Sequence, residues 1–394
     1  MPKPHSPRRP ADNLERAIAL HEHAIEALEA GQLASAERSA RRAVELYRLA
    51  EGPAHADVAS AIFELGRVLE LRDDLDQAAQ CFRRSRAILE RQLGDDPDVA
   101  RLSIRAGRFL GNVLRAQGRY ADADRLLNRA LAESVARFGR RDLETAAAFN
   151  HLGMLRKYQG RFREAATCYQ RATSIVSRSP ERRGQAAATL AHNLGGLDHA
   201  RGWYARGEPH ARRSVALREA LLGQDHAVVA ADVAALAALV EGQGRFEEAA
   251  ELYQRALTVF RCRLGSASSE VAFTLAALGG VRQAQGRLAL AERLMRQALA
   301  MQEALYGLRH PEVALTVHNL AVLIALRGRA TEARALGRRA LAVFARVLGP
   351  RHPHTRRCRE TLQRIEALRT PTPQGRRATV RGRGATAAAD PDSG

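Results

Sequence analysis

The chain has 394 residues and a formal net charge of +19, with 46% hydrophobic but only 5% aromatic residues. That balance points away from aromatic-packed sheets and toward helices packed by alanine and leucine, and no run of roughly 18 uninterrupted apolar residues is present to span a membrane. Four scattered cysteines, Cys81, Cys168, Cys262 and Cys358, form no CxxC pair, so they are expected to be small thiols in a reducing cytoplasm rather than disulfides or metal ligands.

Residues 1–11 open with MPKPHSPRRP, rich in proline and arginine and lacking an apolar run, and are expected to be a disordered basic arm. From there the chain is periodic. Glycines stand at Gly118, Gly160, Gly202, Gly244, Gly286 and Gly328, each 42 residues from the last, and Gly31 and Asp73 continue the count with a 45-residue step before Gly118. A fixed period of this size means stacked units that cannot bury their apolar faces alone. Eight units follow, at about 12–50, 55–93, 97–138, 141–178, 182–222, 226–264, 268–306 and 310–348, within a folded region of 12–368. The third carries three extra residues near its first helix. The fifth departs most from the pattern: Gly207 and Pro209 predict a second helix that is kinked or late to begin, a soft joint in the stack. Residues 354–368 read as a C-terminal capping helix. From 369 to 394 the chain is low in complexity and basic, and is expected to be disordered.

Within a unit, the positions eight and seven before the glycine hold a leucine and a small residue, as in Leu152-Gly153, Leu194-Gly195 and Leu278-Gly279. Five and twelve after it stand alanines such as Ala165 and Ala172, with bulky Tyr169 between them. These offsets place small and large side chains on one face of each of two helices, with the glycine in the turn. Each unit is therefore a helical hairpin, and the fold class is all-α.

Small residues at these offsets resemble the tetratricopeptide repeat. The 42-residue length, with His310-Pro311-Glu312-Val313-Ala314 at the start, His318-Asn319-Leu320-Ala321 in the first helix, Gly244-Arg245-Phe246-Glu247-Glu248-Ala249-Ala250 at the turn and Leu264-Gly265 at the close, is similar to the kinesin-light-chain-like subclass. The resemblance implies a right-handed superhelical solenoid whose first helices line a concave groove and whose second helices face outward.

On that arrangement the arginines that recur eleven after the glycine, from Arg42, Arg84 and Arg129 through Arg171, Arg213, Arg255 and Arg339, form an outer solvated stripe. The groove face lies at offsets thirteen, ten, six and three before the glycine. It offers Arg105, Arg108, Asn112 and Arg115 in the third unit, Asn150 and Lys157 with His151 adjacent in the fourth, and His192 and His199 with Asn193 adjacent in the fifth. In the eighth it offers His318 with Asn319 adjacent. Asparagine pairs with a peptide backbone whatever its sequence, and arginine grips carboxylates bidentately. In the family resembled, asparagines at these positions help hold peptides. These twelve residues are the candidate peptide-binding groove, and an extended or acidic segment of a partner protein is the expected ligand.

No phosphate loop, nucleophile elbow, HExxH or paired-carboxylate constellation occurs, so no catalytic residue, cofactor or metal is expected. Two further readings are an electrostatic nucleic-acid binder using the outer arginines and tails, and a regulatory protein that senses a peptide, with the fifth unit as hinge.

Overall fold

The computed structural model describes residues 10–92, 94, 96–179 and 183–367. The tail expected at 369–394, and most of the arm expected at 1–11, lie outside them. Among the described residues there are seventeen α-helices and no strand, and the chain is an all-α helical repeat solenoid. It divides into two compact units, one ending at Met301 and one beginning at Gln302.

In the first unit the hairpins are α1 (Pro10–Glu29) with α2 (Leu33–Glu51), α3 (Ala56–Leu71) with α4 (Leu75–Glu90), and α5 (Pro97–Ala116) with α6 (Tyr120–Phe138). They continue with α7 (Leu143–Tyr158) and α8 (Phe162–Val176), α9 (Arg183–Ala200) and α10 (Tyr204–Leu222), and α11 (Ala227–Gly242) and α12 (Phe246–Leu264). Next come α13 (Ser269–Ala284) and α14 (Leu288–Tyr306), whose last residues belong to the second unit. The second unit holds α15 (Pro311–Leu326), α16 (Ala330–Val347) and α17 (Pro353–Ala367).

Two local devices set this punctuation. The turn inside each repeat needs a backbone in the left-handed region, where glycine carries no Cβ penalty, and the periodic glycines meet it: Gly160, for example, has φ 73°. Asp73, with φ 63°, takes that place in the second repeat and is the one non-glycine residue at positive φ among the described residues. The second device is the N-cap of each first helix. Asp96 and Asp142 cap α5 and α7 with their carboxylates, whereas His55, His226 and His310 cap α3, α11 and α15 through Nδ1, which accepts the backbone N–H two residues on. The His-Pro and His-Ala starts are thus caps.

The three extra residues of the third repeat are absorbed in α5, which has 20 residues where α3 and α7 have 16. Nor does the second helix of the fifth repeat begin late. Helix α10 begins two residues after Gly202, just as α8 begins two after Gly160, and Pro209 lies inside it. The reason is close approach: a Cβ on Gly207 would stand 2.7 Å from Leu239 Cδ2 and 3.2 Å from the Gly195 carbonyl oxygen, so α9, α10 and α11 meet backbone to side chain and backbone to backbone. The substitutions read as weakness are what let these helices touch.

A longer contact also forms inside the first unit. His226 Nδ1 accepts from Val228 N at 3.1 Å, which leaves Nε2 as the protonated nitrogen, 3.3 Å from the carbonyl oxygen of Glu29. The Leu264 side chain lies 4.0 Å from where a Cβ on Gly31 would stand. The first repeat therefore touches the sixth.

In the second unit α17 buries Thr355, Cys358, Leu362 and Ile365 against α15 and α16, and Leu362 Cδ1 would lie 2.9 Å from a Cβ on Gly337. Here α17 covers the apolar face of its neighbours, as expected of 354–368. The four thiols are free: Cys358 is buried, Cys81 and Cys168 half-buried and Cys262 exposed.

Candidate functional site

First helices of successive repeats lie side by side, so one row of residues from α3, α5, α7 and α9 meets across a shared cleft of about 430 Å³. Phe63, Phe109, Ala146, Ala147 and Leu190 supply its apolar walls, and Glu64, Arg67, Arg105, Arg108, Glu144, Asn150 and His151 its polar groups. Four of the twelve expected groove residues, Arg105, Arg108, Asn150 and His151, are brought together here.

Their charges are largely matched from within. Arg105 Nε donates to Glu144 Oε1 at 2.6 Å, and Arg108 donates to Glu144 Oε2 at 3.2 Å. Arg67 pairs with Glu64 at 2.8 Å. Three arginines thus face two glutamates. Burial pushes the Glu64 carboxyl above its usual range despite Arg67, and burial holds the Arg108 guanidinium below its own even with Glu144 bonded to it.

Arg108 is the least satisfied member. Its Nε has no partner, and its Nη1 lies 3.4 Å from His151 Nδ1. That nitrogen is already 2.9 Å from the Ala147 carbonyl oxygen, and a single Nδ1 cannot donate to Ala147 and accept from Arg108 at once. Burial, and then the Arg108 charge, push the His151 imidazole down to about 3, so it is neutral, with its proton on the nitrogen facing Ala147. A guanidinium only 8% exposed thus keeps one buried donor, Nε, without a partner.

The other expected residues fall elsewhere. Asn112 Nδ2 donates to Glu70 Oε1, and Arg115 Nε donates to Asn112 Oδ1 at 3.1 Å while its guanidinium lies 4.3 Å from the Tyr158 ring centre. Asn193 Nδ2 donates to Asn150 Oδ1 at 2.7 Å, joining two repeats. Lys157, His192 and His199 line a separate cavity of about 210 Å³ with Gly196, Ser214 and Asp232. His318 and Asn319 belong to the second unit, where Asn319 is exposed and His318 is buried. Burial, then Arg357 and His354 of α17, push His318 down to about 4.

The sequence reading missed the carboxylates. Glu144 lies one helical step before the sampled row, at the sixteenth position ahead of Gly160, so extending that row by three residues finds it. Asp232 is buried at 1% exposure and bonds Ser214 Oγ at 2.6 Å, His192 Nδ1 at 2.7 Å and Arg218 Nη1 at 2.9 Å. It stands beside the row and gave no signal in one dimension. Among the described residues, one group with ligating atoms within 4.8 Å of one another is Glu51, His55 and Asp57. There His55 Nδ1 is engaged as the cap of α3, 2.8 Å from Glu51 Oε2, and burial and then Asp57 push the Glu51 carboxyl up.

The outer arginine stripe is interleaved with acids. Arg42 pairs with Glu45, Arg129 with Glu90 and Glu133, Arg255 with Glu219 and Arg339 with Glu303. Arg171 lies over the Phe149 ring.

Family models described as tetratricopeptide repeat match residues 15–91, 102–178 and 186–261, and a second such model matches 272–312 and 313–354. The chain belongs to the tetratricopeptide repeat family. No curated protein matches it. Among solved structures, the tetratricopeptide chain is similar to kinesin-light-chain-like repeats from Podosopora anserina, at 21% identity over 52% of this chain and 97% of that one, TM-score 0.43. It is similar to a Rap protein complexed with competence and sporulation factor, at 14% identity over 79% of this chain and 88% of that one, TM-score 0.58. A signal-transduction ATPase with a tetratricopeptide repeat sensor from Pyrococcus horikoshii matches 84% of this chain and 49% of its own, at 11% identity and TM-score 0.56. No described helix is long and apolar enough to cross a membrane.

Proposed function

We propose that this tetratricopeptide chain is a non-enzymatic, cytoplasmic protein–protein interaction scaffold that receives an extended segment of a partner in the cleft lined by α3, α5, α7 and α9. The observation that carries this reading is the cleft itself, where the Arg105 and Arg108 guanidinium groups stand beside apolar walls that include Phe63 and Phe109. A backbone carbonyl or a side-chain carboxylate entering the cleft pairs with the guanidinium groups that line it, and the excess of arginine over glutamate favours the acidic case. The Asn150–Asn193 pair uses the Asn150 oxygen, leaving the Asn150 amide N–H groups, on the cleft wall, to pair with a ligand's backbone. The Rap protein bound to its factor offers a parallel for this use of the fold.

Nucleic-acid binding is the weaker reading because four of the seven stripe arginines, Arg42, Arg129, Arg255 and Arg339, are paired with glutamates of the same face. Peptide sensing with a hinge at the fifth repeat is opposed by the close packing around Gly207.

The test fills the cleft without touching its ion pairs. Ala147→Trp and Ala186→Trp project an indole into the space. A protein partner that survives nuclease is expected to be captured by the wild-type chain and lost from either variant, while both variants keep the wild-type helical signal. Capture that both variants retain in full would overturn the reading.

A further inference from the structure

Lys3 and Lys157 are the only lysines of the chain, against a total of 62 lysines and arginines. Lys157 is therefore the one primary amine among the described residues. An arginine cannot lose its proton near neutral pH, whereas an amine can, and only the amine then carries a nucleophilic lone pair.

Where this amine sits is unusual. It lines the cavity of about 210 Å³ between α7, α9 and α11, together with His192, His199 and Gly196. A Cβ at position 196 would stand 3.4 Å from the Lys157 Nζ, so glycine leaves the amine room at its side. The cavity's carboxylate, Asp232, is occupied by Ser214, His192 and Arg218. Among the described residues no carboxylate pairs with Lys157; its ammonium lies 5.2 Å from the Tyr158 ring and feels the positive charge of Arg115. Burial first, and then Arg115, hold its ammonium below the usual lysine range, and burial together with Lys157 does the same to His199. An amine that is partly withdrawn from water and set beside another cation is the arrangement that frees a lysine lone pair.

We propose that Lys157 captures small aldehydes or ketones in this cavity as a reversible imine. The Nζ lone pair adds to the carbonyl carbon, the carbonyl oxygen takes a proton and the amine loses one, giving a carbinolamine. The hydroxyl then leaves as water while the nitrogen lone pair forms the C=N bond, so no oxidant or reductant is consumed. His192, on the cavity wall, is tied to Asp232 through Nδ1. His199, also lining the cavity, is a proton carrier for the departing hydroxyl. Leu239 and Ala235 give the cavity an apolar wall, which favours loss of water over its return. This inference does not depend on the partner cleft between α3 and α9.

The experiment uses the full chain at neutral pH with acetaldehyde in one arm and pyruvate in the other, trapped by cyanoborohydride and read by peptide mass spectrometry. Lys3 and the terminal amine serve as references in the same molecule. Lys157 is expected to be labelled about tenfold faster than Lys3, with no label at that position in Lys157→Arg and slower labelling in His199→Gln. Faster labelling by pyruvate identifies a keto acid as the preferred class, and faster labelling by acetaldehyde a neutral aldehyde. Labelling of Lys157 no faster than Lys3 in both arms overturns the proposal, and that ratio decides the matter in the wild-type chain even if a variant fails to fold.

Discussion

Repeats four and five carry the same sequence signal, a glycine seven residues before the turn, yet each uses it differently. In repeat four a Cβ on Gly153 would stand 2.6 Å from the ring of Tyr169, a fully buried side chain from the facing helix. In repeat five the space at Gly195 is filled by backbone: the Ala211 nitrogen and the Gly207 oxygen each lie 3.4 Å away. One glycine accommodates a large neighbour, the other a close approach of two main chains. A small residue in a periodic pattern therefore reports that something comes near, without saying whether it can yield.

The largest effect that separates the two regions is expected at the buried carboxylates of their junctions, Glu144 of repeat four, which holds arginines of repeat three, and Asp232 of repeat six, which holds Arg218 of repeat five. Asp232→Ala strands the Arg218 guanidinium in a buried site, at a cost of about 3–5 kcal/mol, while the Ser214 hydroxyl keeps the Ala188 carbonyl oxygen as its acceptor. Glu144→Ala is expected to cost about 2–3 kcal/mol, because the side chain of Arg105 is 39% exposed and can turn to water, leaving only Arg108 stranded. Chemical denaturation of both variants checks the order; equal losses would mean the two junctions are equivalent.

Next come the glycines. Gly153→Ala and Gly207→Ala should each cost about 1–3 kcal/mol from overpacking, reduced by the better helix propensity of alanine. The distinction lies in rescue. Adding Tyr169→Leu to Gly153→Ala should recover most of the loss, while adding Leu239→Ala to Gly207→Ala should not, since the Gly195 carbonyl oxygen 3.2 Å away remains. A double-mutant cycle reads the difference directly.

Acid should loosen repeat four. The folded chain keeps His151 neutral down to about 3, whereas its ordinary value is 6.5. Between those limits the unfolded chain binds a proton that the folded chain refuses. The His151 contribution is thus fully present above the ordinary value and falls with pH below it, by about 1.4 kcal/mol per pH unit. His151→Asn is expected to flatten the fall in stability from pH 7 to pH 5.

The smallest effects are at the turns. Arg161 closes the turn of repeat four on Glu164 at 2.6 Å, an exposed pair whose loss in Arg161→Ala should cost no more than about 0.5 kcal/mol. At the turn of repeat five Trp203 lies between Arg201 and Arg206, each guanidinium 4.6 Å from its ring, and Trp203→Ala should cost somewhat more, about 1 kcal/mol. Thermal melts of both variants would rank them.

The hairpins were legible because their punctuation is local: a left-handed turn demands glycine at Gly160 or Gly202 wherever the helices then go. The row holding Arg105, Arg108, Asn150 and His151 was legible because helical spacing alone puts them on one face. Glu144 and Asp232 were not, since which residues of one repeat meet the arginines of another depends on the angle at which first helices pack. The fifth repeat was misread for the same reason. Gly207 and Pro209 look like helix breakers in one dimension, and only the proximity of Leu239 and Gly195 shows what the missing side chain makes possible.

The contact between His226 and Glu29 changes how the first unit assembles. A repeat array held only by neighbours can nucleate anywhere and frays freely from its ends. A bond between positions 197 residues apart adds a constraint that no single repeat can satisfy early. Closing it requires five hairpins to be in place, so it belongs to the late, slow part of folding. Once made, this exposed bond adds about 1 kcal/mol to the hold on the N-terminal hairpin, a modest coupling of its opening to the sixth repeat that a strictly linear array lacks.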